Sequence, residues 1–375
     1  MTLEFGETKP NYEARKTLIQ KVESIRRGRK LVCVLNLDRM TIPIGLHLQL
    51  GITTQFAPDC KEVLYRVLKE LPRRSKIDLL LYTRGGDVNA VWPFVNLVRE
   101  VDPDYEVLVP FRCHSAGTLV SLGAKAIWMG PLSELSPIDP TIGNQFNPID
   151  PLIPGNRLAI SVEDVQQYRE FVTSQVAAMK GKKPEAAIAL FERLTRTVHP
   201  LALGNVHRTH QQIKQLAINL LRHQQPNGSL EKTVIALTSR FHSHQHMIDR
   251  GEAKKILQRK VRFADEALAG ALDELLRGYE DAFRLRSPFS LARPLGDEPA
   301  KAMRFIGGVA ESGEIGYLFE TLATVKQRPK IPPGVQIQVP AGQPLPLLPQ
   351  LSREFEIEIT AQGWVRNKEP RGATT

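Results

Sequence analysis

Two turns of this chain carry residue types that combine into chemistry: Thr83-Arg84-Gly85-Gly86-Asp87 and His114-Ser115-Ala116-Gly117. The first offers backbone N–H groups with no side chain in front of them, since glycine lets the main chain approach a ligand closely or take positive φ. The second offers a serine hydroxyl at a helix start, followed by the small residues Ala116 and Gly117. The N–H of Ala116 is thereby left open at the positive end of a helix, where an anionic oxygen is favoured. A hydroxyl facing two bare amides is a nucleophile facing an oxyanion hole, and the matching chemistry is acyl transfer to water. In this reading Ser115 is the nucleophile, and Gly86 and Ala116 supply the oxyanion-hole N–H groups. Neither turn is specific alone: Gly-Gly after a strand is ordinarily a tight turn, and Ser-x-Gly at a helix start is ordinarily an N-cap. The combination carries the reading. A dinucleotide site is excluded because the third glycine is missing and Asn89-Ala90-Val91 follows; no Gly-Lys-Ser/Thr phosphate loop occurs there either.

Such turns need a strand before and a helix after. Apolar, partly β-branched runs predict strands at 31–37, 77–82, 105–111 and 126–129. Helical spacing predicts helices at 11–30, 57–72, 88–100 and 116–124. This alternation implies βαβ units and a mostly parallel sheet, an α/β fold. Ligands of such sheets bind beyond the carboxyl ends of the strands, where both turns lie. After Pro131 a stretch rich in Pro, Gly, Asn and Asp reads as a long loop. Ser161, with Asp164 three positions on, then reads as an N-cap. Helices are expected at 162–180, 184–196, 200–222, 231–239, 250–258 and 262–286. Beyond Arg304 the pattern turns to strands at 305–309, 315–322, 335–339 and 355–360, with a proline-dense stretch between Pro329 and Pro349.

The chain has 375 residues, 42% of them hydrophobic and 24% charged, which is ordinary for a globular protein with a sizeable core. Its net charge of +10 points to a solvated basic surface before it points to nucleic acid. The densest cluster, Arg26-Arg27-Gly28-Arg29-Lys30, lacks interleaved aromatics and matches no nucleic-acid module. Cys33, Cys60 and Cys113 form no paired pattern, which fits a reducing compartment and makes a cytoplasmic location the expectation. The polar N-terminus shows no signal peptide, and no apolar run reaches the roughly 18 residues of a membrane span, so no membrane anchor is expected.

From Ile77 to Gly143 the sequence resembles the serine dehydrogenase proteinase family, within the ClpP/crotonase superfamily that includes signal-peptide peptidase A. The resemblance rests on residues 78–86, on Val109-Pro110, on Ser115-Ala116-Gly117-Thr118-Leu119, on Ile127-Trp128-Met129-Gly130 and on Leu135-Ser136-Pro137-Ile138-Asp139-Pro140. It implies an ATP-independent serine peptidase-like domain acting on peptides or proteins. It also implies a ClpP/crotonase-type core of repeated ββα/βαβ units, here with a helical extension and a small β-rich C-terminal module. Ser115 matches the family nucleophile, and Gly86 and Ala116 match its oxyanion positions. Arg84 stands where relatives often carry proline. The expected segments are an N-terminal basic helical arm at 1–30, the peptidase-like domain at 31–290, the β-rich module at 291–364 and a disordered tail at 365–375. Folds of this superfamily assemble into rings or trimers, and apolar helical stretches such as Ala267 to Leu276 exceed what one sheet covers, so a homo-oligomer is expected.

A serine hydroxyl needs a base within hydrogen-bond reach. Clp-type peptidases carry a histidine in the turn after the strand that follows the serine, whereas this chain has Leu135-Ser136-Pro137 there. His244, with Asp249 available to orient an imidazole, is the first choice. His199 before Pro200 reads as a helix cap, and Lys180, Lys182 and Lys183 read as a helix end; these remain alternatives for the base. His242, His244 and His246 alternate, but no carboxylate or cysteine nearby completes a metal site, so no metal and no cofactor is assigned. Two other readings compete: a catalytically silent oligomeric scaffold or binding protein of the same fold, and a crotonase-type acyl-CoA enzyme, which shares the oxyanion device but needs no serine at position 115.

Overall fold

The computed structural model describes residues 12–37, 54–138, 141–150, 157–158, 160–178, 184–224, 230–238, 241, 246–287, 290–329 and 353–367. Its centre is an eight-stranded sheet. Five strands are parallel: β1 (Lys30–Asn36), β2 (Ile77–Tyr82), β3 (Glu106–Val109), β5 (Ala126–Met129) and β10 (Val261–Phe263), in the spatial order β10-β5-β3-β2-β1. Beyond β1 the sheet turns antiparallel through β11 (Ala300–Glu311), β12 (Gly316–Pro329) and β13 (Arg353–Arg366). Three short strands, β4 (Arg112–Cys113), β6 (Glu134–Leu135) and β9 (Ile248–Asp249), form a second sheet beside the serine turn. A two-stranded pair, β7 (Thr141–Ile142) and β8 (Ile160–Ser161), completes the strands among the described residues.

The inner parallel strands β1, β2 and β3 are buried almost throughout and mostly apolar, with Asp78 and Glu106 as buried charged exceptions, because both faces are covered. Side chains alternate between the faces. Val32, Val34, Leu79, Leu81, Val107 and Ile127 pack on one side against α2 (Asp59–Lys69), α3 (Val91–Val101) and α4 (Ala116–Leu122). Further helices α5 (Val162–Ala178), α6 (Pro184–Thr197), α7 (Pro200–Arg222), α8 (Leu230–Thr238) and α9 (Arg250–Leu257) follow, and α7 lies on α4 through Ile213, Ala217 and Leu220. On the other face Leu31, Cys33, Leu35, Leu80 and Leu108 meet α1 (Tyr12–Ile25) and α10 (Glu266–Ala282). Ile19 and Val22 of α1 are fully buried there, so this helix is part of the core layer and not a projecting arm.

Three further differences from the sequence reading have physical causes. The β-rich C-terminal strands do not make a sheet of their own: β1 and β11 pair antiparallel, from Cys33 opposite Glu311 to Asn36 opposite Gly308, and so extend the central sheet. β13 continues through Val365 and Arg366, opposite Leu318 and Tyr317, into the stretch expected as tail. The expected helix 262–286 is split, because Val261–Phe263 joins the sheet edge beside β5 and Asp265 then caps α10 by accepting the Leu268 N–H at 2.9 Å. The expected strand at 335–339 lies outside the described residues. The basic cluster is partly internal: Arg26 donates to Asp78 and Glu106, Arg29 donates to Asp78, and the Arg26 guanidinium lies 4.4 Å from the Trp128 ring centroid. Those two cations are matched by carboxylates inside the protein, which removes them from any phosphate-binding surface. No helix among the described residues is long and apolar enough to cross a membrane.

Candidate active site

The two turns are joined directly. Beyond the end of β2, Thr83 pairs with Cys113: the Thr83 N–H donates to the Arg112 carbonyl at 3.0 Å, and the His114 N–H donates to the Thr83 carbonyl at 3.0 Å. This bridge sets the diglycine bend against the serine. A Cβ placed on Gly85 would lie 2.6 Å from Ser115 Cβ and 3.1 Å from Ser115 Oγ. Gly85 has φ +107 and Gly86 has φ +153, conformations that side-chain-bearing residues rarely adopt. Gly86 is wedged against Phe56, whose N–H donates to the Gly85 carbonyl and whose carbonyl accepts from the Asp87 N–H, both at 2.8 Å.

Ser115 ends the β4 turn with φ 50 and ψ −109, uncommon for a residue with a side chain and costing about 1–3 kcal/mol. The residue is partly exposed, while His114 and Ala116 on either side are buried. Its own N–H donates to Ser136 Oγ at 2.8 Å, and the Gly117 N–H donates to the His114 carbonyl at 2.8 Å. The Gly85 N–H is taken by Thr83 Oγ1 at 3.0 Å. That leaves the N–H groups of Gly86 and Ala116, the pair expected from the sequence, without a hydrogen-bond partner among the described residues. Ser115 Oγ likewise makes no hydrogen bond among the described residues.

The expected bases fare differently. His244, Lys180 and Lys182 lie outside the described residues. His199 is the N-cap of α7: its Nδ1 accepts the Leu201 N–H at 3.2 Å, and its ring stacks on Phe146 with centroids 5.0 Å apart. His114, next to the serine, has Nε2 3.2 Å from Glu134 Oε1 but makes no hydrogen bond through that atom among the described residues. His246 bonds Glu252 through Nε2 at 2.7 Å and stacks on Phe241. Leu135 of β6 pairs with both Cys113 of β4 and Ile248 of β9. β6 therefore lies between the strand that leads into the serine turn and the strand that follows the His244 segment.

Two contributors escaped the sequence reading. Phe56 holds Gly86 from an irregular stretch ahead of α2, with no motif to mark it. Ser136 holds the Ser115 amide from a Leu-Ser-Pro turn that the sequence marked as part of the family resemblance and as lacking a histidine, but not as a partner of Ser115.

Residues 6–152 match a family model described as the ClpP-like SDH-type serine proteinase. Among curated proteins, the chain is 34% identical to an uncharacterized protein of Methanocaldococcus jannaschii over 85 residues, which is 23% of this chain and 29% of that protein. It is 26% identical to a second uncharacterized protein of the same organism over 139 residues, 36% of this chain and 46% of that protein. The match thus spans less than half the length of either relative. Both turns fall inside residues 6–152, the stretch over which the chain is similar to the ClpP-like SDH-type serine proteinase family that its serine and diglycine motifs resemble.

Proposed function

We propose that the protein is a serine peptidase that cleaves peptide bonds without ATP. Ser115 Oγ attacks the peptide carbonyl carbon as its proton passes to a base, and the carbonyl electron pair moves onto oxygen. The resulting oxyanion is held by the N–H groups of Gly86 and Ala116. Collapse breaks the C–N bond, and the proton goes from the base to the leaving amine. Water then repeats the sequence on the acyl-enzyme and releases the acid. The observation that supports this most is the packing of Gly85 on Ser115, beside two amides that have no partner among the described residues. His244 is the proposed base; the capping role of His199 argues against that alternative. The protein acts as a homo-oligomer in this reading, and light scattering at micromolar concentration gives more than a monomer mass.

The test is a fluorophosphonate probe followed by mass spectrometry of the intact chain. One adduct on Ser115 is expected, absent in Ser115→Ala. His244→Ala slows labelling by about 10²–10⁴-fold, and His199→Ala leaves it near wild type. An unlabelled Ser115, under conditions where a control hydrolase reacts fully, overturns the reading. The competing reading is a silent scaffold of the same fold. That absence of labelling is its expected result.

A further inference from the structure

Ser136 and Thr118 form a small buried network under the serine turn. Ser136 is 3% exposed and Thr118 is fully buried. Ser136 Oγ accepts the Ser115 N–H at 2.8 Å and donates to the Pro137 carbonyl at 3.0 Å. Thr118 Oγ1 accepts the Ser136 N–H at 3.2 Å, and its single proton is shared between the Cys113 and Ser136 carbonyls, each at 3.0 Å. The network ties the last residue of β4, the first turn of α4 and the residue after β6 into one unit around Ser115.

We propose that Ser136 is a positioning residue for the nucleophile, one that holds the Ser115 amide and thereby keeps the serine in its positive-φ conformation, with Thr118 fixing Ser136 in turn. The proposal rests on the peptidase reading for its catalytic consequence. Two effects follow from one hydrogen bond. It draws the Ser115 N–H away from the substrate side, so that the Ala116 and Gly86 amides are the ones left for the oxyanion. It also opposes relaxation of Ser115 to negative φ, which would swing Oγ out of line with those amides. Since the bond spans two chain segments held by the β4–β6 pairing, the strain is sustained by tertiary contacts. Misplacement of a reacting atom by about 1 Å costs on the order of 10²-fold in rate.

The experiment compares Ser136→Ala and Ser136→Thr with wild type. Labelling by the fluorophosphonate is followed as a function of probe concentration, and exchange of the Ser115 amide hydrogen is followed by NMR. Ser136→Ala removes one hydroxyl and no carbon framework. It is expected to lower the bond-forming rate constant by about 10²-fold with probe affinity within about twofold, and to speed exchange at Ser115. Ser136→Thr, which keeps the oxygen, restores most of both. Thr118→Val gives a smaller loss in the same direction. A folded Ser136→Ala protein with wild-type rate constant and unchanged exchange overturns the proposal while leaving the peptidase reading intact. If wild type itself is unlabelled, the peptidase reading fails, and the exchange comparison still decides whether Ser136 holds the turn.

Discussion

Gly85 sits so close to Ser115 that a methyl group on it would come within 2.6 Å of the serine Cβ. At φ +107 the backbone there is also one that alanine resists. Gly85→Ala therefore pushes the two turns apart and crowds Ser115 Oγ at 3.1 Å, while deleting neither the hydroxyl nor the proposed oxyanion amides. The expected result is a folded protein whose fluorophosphonate labelling falls about 10²-fold, with a melting temperature lowered by several degrees. Wild-type labelling in this variant would mean that the diglycine bend and the serine do not act together.

Gly86→Ala should behave differently. The added carbon would meet the Phe56 carbonyl oxygen at 2.0 Å and the Phe56 nitrogen at 2.6 Å, both backbone atoms that cannot turn aside. The stretch ahead of α2 must move, and the ladder bonds between Phe56 and residues 85–87 are lost. Thermal melting should show a larger drop than for Gly85→Ala, and loss of soluble protein would agree with the same cause. A melting temperature equal to wild type would rule out the wedge of Phe56 on Gly86.

Arg15 and Glu311 form a bidentate ion pair that ties α1 to the end of β11, with distances of 2.8 and 3.0 Å and exposures of 1% and 0%. Tyr279 OH adds a bond to Glu311 at 2.7 Å. Removing one partner leaves a charge in the core, so Arg15→Met or Glu311→Leu alone should cost about 3–5 kcal/mol in urea denaturation. The double replacement should cost clearly less than the sum, because no uncompensated charge remains. Additive losses would show that the two charges are not coupled.

Lys260 is buried beside the end of α4 and donates to the Ala124 carbonyl. Burial pushes its ammonium pKa down to about 7, and the neighbouring charge of Arg99 acts in the same direction. In the unfolded chain a lysine titrates near 10.4. Between these values the unfolded state holds the proton and the folded state does not, so this group makes stability rise with pH from about 7 to about 10.4. Below about 7 both states are charged and the cost of burying the charge is borne in full. Denaturation midpoints at pH 7 and pH 10 should therefore differ less in Lys260→Met than in wild type. An identical pH response in the two proteins would place the titration elsewhere.

The parallel core was legible because its cause is local. Runs such as Ile77-Asp78-Leu79-Leu80-Leu81-Tyr82 bury every side chain, and the strand observed there has the expected limits. The same holds for the helix 200–222 with its cap at His199, and for the cap at Ser161, which accepts the Asp164 N–H at 3.2 Å. The short strand Val261–Phe263 was not legible, since three residues have no measurable period and only pairing with β5 makes them a strand. The joining of β11 to β1 was hidden for the same reason: partners more than 270 positions apart leave no mark in either segment.

For the site, the chain order by itself singled out the residues proposed to carry chemistry. Ser115, Gly86 and Ala116 stand out because hydroxyl, bare amide and small neighbour are properties of single residues and short spacings. Tertiary structure decided what surrounds them. The bridge from Thr83 to Cys113, the packing of Gly85 on Ser115 and the grip of Ser136 on the Ser115 amide join segments 21 to 30 positions apart. Such contacts arise only once β2, β4 and β6 are laid side by side, because a hydrogen bond or a van der Waals contact depends on distance in space, and spacing along the chain sets that distance only within a single turn or element.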